Sequence, residues 1–295
     1  MSLDSLIGLG FTVSIFLGVL AVGLRVAPAD LRYLWGKPAR LVRSLLAMNV
    51  VAPIVAVMVC KMFSLHPAVT LALVTLAIAP VGALFSQAML PLVAPGHFAY
   101  ARGLFFASIV LSVVLTPLAV ELIQMIFGGN VHVDPLTAAK VVVGSVLLPL
   151  GIGFAIAHWW PAARRWNSAI QTVSSVVLGV CSVALLAFAW SHLGSVVREG
   201  TLTAIVVLTL IGLAVGHFLG GPAEDDRTVL AFATVSRHPG VAMAVASLTD
   251  QPLAPIGVLL AVVVNEIAVV PYELWRKRLR ATGPTASRHT LNTTG

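Results

Sequence analysis

The sequence predicts an all-α integral membrane protein of about nine transmembrane helices, and three observations carry that prediction. Hydrophobic residues make up 59% of the 295-residue chain and charged residues only 10%, against roughly 25% charge in a water-soluble domain. The mean hydropathy is +1.00. The apolar runs each approach the ~20 residues that a helix needs to cross ~30 Å of hydrocarbon. A chain so poor in charge cannot cover a water-facing surface, and its solvent is lipid.

Taken in order, the expected spans are 5–24, 41–63, 68–94, 98–127, 137–158, 168–192, 200–220, 227–249 and 253–275. They are read as helices because a spanning segment must satisfy its backbone hydrogen bonds internally. The absence of ~10-residue alternating segments argues against an outer-membrane barrel. The first run opens on Asp4 instead of a basic segment and is long for a signal peptide, so it reads as a retained span. Residues 31–43 read as lying partly along the inner surface. Residues 1–280 form one polytopic membrane domain, and the polar stretch ATGPTASRHTLNTTG, 281–295, reads as a disordered cytoplasmic tail.

Charge sets the expected orientation. With the N-terminus outside, fourteen of the eighteen Lys and Arg residues fall on the inner side. Lys61, Lys140 and Arg198 fall outside, and Arg237 lies within a span. That asymmetry is the positive-inside pattern of a cell (inner) membrane protein with a cytoplasmic C-terminus. It also accounts for the net charge of +7, so nucleic acid is not an expected partner. Trp35, Trp159, Trp160, Trp166 and Trp275 mark the same inner edges, as interfacial aromatics do. Cys60 and Cys181 both sit in apolar runs and read as packing residues, suggesting neither a disulfide framework nor a metal site.

Two spans carry helix breaks near their middles. LAIAPVGALFSQAM, 76–89, contains Pro80 and Gly82 followed by Ser86 and Gln87. ATVSRHPGVAMA, 233–244, contains Thr234, Ser236, Arg237 and His238 ahead of Pro239 and Gly240. Proline removes a donor and clashes with the preceding turn, and glycine weakens what remains. The freed backbone groups must face protein or water. Under the expected topology the first broken span runs inward and the second outward, with four spans between them. Paired interrupted helices in opposite senses point to the mid-membrane site of a secondary transporter. Other spans hold prolines too, at Pro53, Pro117, Pro149 and Pro271, and a single kink of this kind is often packing alone.

The ionisable and polar residues at this depth are the candidate site. An arginine at a helix centre costs roughly 2.5–3.5 kcal/mol on insertion scales, so Arg237 needs a partner. It either binds a substrate carboxylate or sulfonate through its fork or is held by carbonyls of the first broken helix. Glu266, midway through the last span, either pairs with Arg237, carries a proton, or meets another cation. Asn265 beside it is expected to line the cavity, as is Asn49. His238 either titrates near neutrality or hydrogen-bonds a freed carbonyl. The acidic run Glu224-Asp225-Asp226 is expected to cap the second broken helix.

VLAVGLRVAPADLRYLWGKPARLV, 19–42, the Pro80-Val81-Gly82 break and FATVSRHPGVAMAVAS, 232–247, together resemble the bile acid:sodium symporter family. The likeness covers nearly the whole chain, and the SRHPG form is similar to a prokaryotic variant. The resemblance implies inverted five-helix repeats, a panel domain, a core domain and two discontinuous helices crossing at mid-membrane. Nine spans fit if the chain begins at the family's second helix, giving four plus five, with repeats at about 5–127 and 137–275. It implies a secondary active transporter, not an enzyme, carrying small organic anions by alternating access without a cofactor.

The family's sodium ligands carry over poorly. Ala233 stands where sodium-coupled members have an acid, and Arg237 and His238 stand where they have glutamine and asparagine. Ser86 and Gln87 match the serine–asparagine pair of the first break. Ala101 and Phe105 fall where hydroxyl ligands are expected, and Met48, beside Asn49, where another glutamine is. Sodium needs several oxygens, and a guanidinium beside it would repel it, so Na+ and H+ both remain open as the coupling ion. Ser236 and His238 are two apart and point away from each other on a helix, which argues against a nucleophile–base pair. A non-transporting membrane sensor or scaffold derived from a transporter fold is the alternative.

Overall fold

The computed structural model describes residues 3–26, 36–82, 92–93, 97–127, 134–188, 194, 196–249 and 251–282. All the regular structure among them is helical. The chain runs as α1 (Leu3–Arg25), α2 (Pro38–Met62), α3 (Pro67–Ile78), α4 (Phe98–Phe127) and α5 (residues 135–159). A 3₁₀ turn at Pro161–Trp166 leads into α6 (Asn167–Phe188), and α7 is Thr201–Leu219. The chain ends with α8 (Glu224–Val235), α9 (Pro239–Ala246) and α10 (Ala254–Thr282). Seven of these helices are long and apolar enough to cross a membrane, while α3 is a shorter apolar helix. Residues 83–90, with Ser86 and Gln87, lie outside the described residues, as do 27–35 and the tail from 283.

Prolines set many of the boundaries. Pro38, Pro67, Pro135 and Pro239 stand at helix starts, where a missing N–H costs nothing. The His66 ring and the Asp134 carboxylate cap α3 and α5 by accepting backbone N–H groups. Within α2 and α5, Pro53 and Pro149 each follow a single wide π turn, at Ala47–Val51 and Val143–Leu147. A proline cannot donate to the turn before it, so the ladder widens there.

The helices sort into two groups by what they pack against. In one, α1 lies between α5 and α6. Gly23 and Gly153 let α1 and α5 approach so closely that a Cβ on either would stand 3.1 Å from the other's Cα. Ser14 and Ser174 tie α1 to α6 by reciprocal hydroxyl-to-carbonyl bonds of 2.7 and 2.8 Å, and Asn167 donates to the Ala21 carbonyl. The second group is α2, α3, α4 and α7 to α10, with α7 against α8 and α3 against α10, and α4 packs on the start of α5 to join the two groups.

Charged side chains gather at one end of the second group. Asp226, almost fully buried, meets Arg40 of α2 at 2.8 Å and His97, just before α4, at 2.8 Å. Glu224 meets Arg276 of α10 at 2.5 Å and Arg227 at 3.0 Å. The N-cap of α8 is Ala223, without a side-chain cap. The acidic run therefore fills the first turn and joins neighbouring helices instead of capping its own.

Candidate functional site

The two breaks meet. Ala79, ahead of Pro80, is extended (φ −64°, ψ 151°), as is His238 (φ −78°, ψ 101°) ahead of Pro239. A residue before proline is pushed away from the helical region. The two extended stretches lie antiparallel, with Val81 opposite Arg237. Gly82 N–H donates to the Ser236 carbonyl at 2.8 Å, and His238 N–H to the Pro80 carbonyl at 2.8 Å. The Val81 N–H reaches the Ser108 hydroxyl of α4 at 3.0 Å. Each interrupted helix thus supplies partners for groups the other has freed. Glycine at 82 admits this close approach: a Cβ there would lie 3.0 Å from the Arg237 carbonyl oxygen and 3.3 Å from its carbon, and would press on that backbone.

The Arg237 side chain finishes the junction. Nε donates to the Thr234 carbonyl at 3.0 Å, Nη1 to the Ala79 carbonyl at 3.1 Å, and Nη2 to the Met48 carbonyl. Each acceptor has lost its helical donor for an identifiable reason. The residue four beyond Thr234 is His238, whose N–H is taken by Pro80. Ala79 ends α3 in an extended conformation. For Met48, the Ala52 N–H goes to Ala47 across the π turn, and the next position is Pro53, which has none. One guanidinium therefore joins α2, the end of α3 and the end of α8 through neutral carbonyl dipoles. Among the described residues Arg237 forms no ion pair.

A cavity of about 360 Å³ lies against this junction, between the two helix groups. That is within the size range of small-molecule sites. Its walls include Ser14 of α1, Gln171 and Ser174 of α6, Thr209 of α7 and, from the second break, Thr234 and Ser236 to Pro239. Gly82, Asn265, Glu266 and Glu273 also stand on the wall. Asn265 Oδ1 accepts from the Thr209 hydroxyl at 3.0 Å, and the Thr234 hydroxyl is spent on the Leu230 carbonyl at 2.8 Å. His238 is 3% exposed, and neither ring nitrogen has a hydrogen-bond partner among the described residues.

The family-model comparison decides the class of protein. The model of the sodium bile acid symporter family matches residues 12–196, more than half of the chain. The chain belongs to that family. It is a multi-pass membrane transporter of the bile acid symporter type, and its family takes small-molecule substrates. No individual curated protein matches it. The match stops before α7, so the SRHPG stretch lies outside the matched residues and its geometry stands on its own.

Of the residues expected at the site, Gly82, Thr234, Ser236, Arg237, His238, Pro239, Asn265 and Glu266 line the one cavity. Pro80 and Gly240 flank it: a Cβ on Gly240 would collide with the Ile15 side chain of α1. Asn49 sits in the π turn of α2, donates to the Leu45 carbonyl at 3.3 Å and is not among the lining residues. Glu266 faces the cavity and does not meet Arg237. Ser86 and Gln87 fall outside the described residues. Sequence reasoning missed Ser14, Ser174 and Gln171. A lone glutamine in an apolar run was a usable signal for the last, and Gln171 is 5% exposed with an unpartnered Nε2. Nothing in their spacing announces that Ser14 and Ser174, 160 positions apart, meet.

Proposed function

We propose that this member of the family is a secondary active transporter of small organic anions, working by alternating access in the cell (inner) membrane with its C-terminus in the cytoplasm. The observation that carries the reading is the position of the cavity. It lies beside the junction of two interrupted helices and between two helix groups that can shift against each other around it. Its wall is mostly apolar with a few convergent donors, which suits an amphipathic acid with a compact polar head. His238 and Gln171 offer nitrogen groups without internal partners for such a head. No catalytic role is assigned to any residue.

The same geometry favours transport without sodium. The carbonyl oxygens that a cation would need at the junction already accept from Arg237. A fixed positive charge beside them raises the cost of a second cation.

Uptake by proteoliposomes tests both parts. Benzoate, cholate and an alkylsulfonate would be offered under sodium and pH gradients imposed separately. The expected result is saturable flux of at least one acid that is indifferent to sodium. Strict sodium dependence overturns the sodium-free reading. Absence of flux under every gradient overturns the transporter and favours a sensor or scaffold.

A further inference from the structure

Glu266 is the carboxylate that the junction leaves unused. It stands near the middle of α10, on the wall of the cavity. Among the described residues it has neither an ion pair nor a hydrogen bond from its side chain. The cation that could have neutralised it, Arg237, is turned to three carbonyls instead.

The groups around Glu266 can be followed element by element. The helices packed on α10 are α3, α6, α7 and α9, and α8 meets it through Phe232 against Tyr272 and Glu224 on Arg276. The titratable groups of α8, Glu224 to Arg227, all lie at its start. Neither α3 nor α9 carries a titratable side chain, although Arg237 and His238 lead into α9 and line the cavity. Helix α7 brings His217, which sits 2.8 Å from the Tyr272 hydroxyl of α10. Helix α6 brings Cys181 and the neutral Gln171. On α10 itself Glu273 also reaches the cavity, but it meets Lys277 at 3.6 Å, and Arg276 is engaged by Glu224. Among the described residues the cavity wall therefore carries one fixed cation and one unmatched carboxylate, and these balance. A monoanion entering it leaves one negative charge in excess in a mostly apolar enclosure. Such a charge is costly unless it is paired or neutralised.

From this balance, and resting on the transporter reading above, we infer that Glu266 couples anion transport to protons, taking up one H+ for each monoanion bound. The proton moves from water on the side to which the cavity is open onto the Glu266 carboxylate. It returns to water when the cavity opens to the other side and the anion leaves. One anion and one proton cross together, so the cycle carries no net charge. Neither sodium nor a second carboxylate is needed.

The test uses the full-length protein and an alkylsulfonate, which cannot carry its own proton across the bilayer. Calorimetric binding in two buffers of different ionisation enthalpy reads protons taken up per anion. The wild type should take up about one, and its affinity should fall as the pH rises. In Glu266→Gln, whose side chain imitates the protonated acid, uptake should fall to zero. Its affinity at alkaline pH should then match that of the wild type at acidic pH. In proteoliposomes an inward proton gradient should drive up to about tenfold accumulation per pH unit in the wild type, unaffected by a potassium-set membrane potential. Glu266→Gln should show none, and Glu266→Asp should retain it. Anion binding without proton uptake in the wild type, or proton-driven accumulation by Glu266→Gln, overturns the inference and leaves the transporter standing. Failure of every acid offered to bind or cross overturns the transporter itself.

Discussion

Cations are held in two regions of this molecule, and the partners differ. At the junction of the breaks, Arg237 makes its three contacts to the carbonyls of Met48, Ala79 and Thr234. At the charged end of α8, Arg40 and Arg276 meet the carboxylates of Asp226 and Glu224 at 2.8 and 2.5 Å. A carbonyl dipole neither titrates near neutrality nor exchanges its partner for a salt ion. A carboxylate does both wherever water reaches it, and the Glu224 side chain is 57% exposed. The junction is therefore a fixed joint, indifferent to pH and salt, while the charged end is an adjustable clasp. Helices that must shift around a constant centre are served by the first arrangement. Helix ends at an aqueous boundary are served by the second.

The largest expected effect breaks the joint. Arg237→Ala would leave three carbonyls without donors in a buried setting, each costing about 1–3 kcal/mol when unsatisfied. The values do not simply add, since water can enter the space. Thermal unfolding of the purified protein in detergent, followed by tryptophan fluorescence, should show a loss of several kcal/mol. Arg237→Lys should recover part of it, because an ammonium is a compact charge that cannot reproduce the planar fork. Wild-type stability in Arg237→Ala would mean that the junction is held by its backbone bonds alone.

A smaller effect sharpens the reason why arginine is there. The Met48 carbonyl is free because Pro53 supplies no N–H across the π turn. Pro53→Ala would restore that donor and give Met48 a partner within its own helix. Arg237→Ala should then cost less in the Pro53→Ala background than in the wild type, by about 1 kcal/mol, the net worth of one hydrogen bond. A double-mutant cycle on unfolding midpoints measures it. A coupling of zero would detach the π turn from the joint.

The same residues show what the sequence made legible. Hydropathy and length marked the helices, and the prolines at 80 and 239 marked the breaks to the residue, because a helix cannot survive the missing donor and the clash. Polar residues beside the breaks were flagged for the same reason, and six of them or their flanking breakers line one cavity. What stayed hidden depends on backbone atoms distant in the chain. The Met48 carbonyl that Arg237 takes lies 189 positions away, in a π turn whose only trace is Pro53. A carbonyl has no letter in the sequence. Pairing Arg237 with Glu266 looked natural because side-chain charges are all that a sequence displays. Gln171 was legible as an isolated amide, but its role as cavity wall required knowing that α6 faces the second break.

The smallest effect tests the clasp and carries a sign. The hydrogen bond from Arg276 holds the Glu224 carboxyl below the usual carboxylate range, against the opposing pull of partial burial. A carboxylate depressed in the folded state adds stability above its unfolded value of about 4.3. That contribution is lost as pH falls through the folded value. Glu224→Gln should therefore be less stable than the wild type at neutral pH by under ~1 kcal/mol, as befits a largely exposed pair. The gap should close on acidification below about pH 4 and narrow with added salt. The Arg276 bond to the Glu224 backbone carbonyl, 3.1 Å, survives the substitution and limits the loss. Over the same salt range the deficit of Arg237→Ala should hold constant, since its three acceptors are neutral carbonyls. If both deficits move together, the charged end and the junction are one cooperative unit instead of a clasp and a joint.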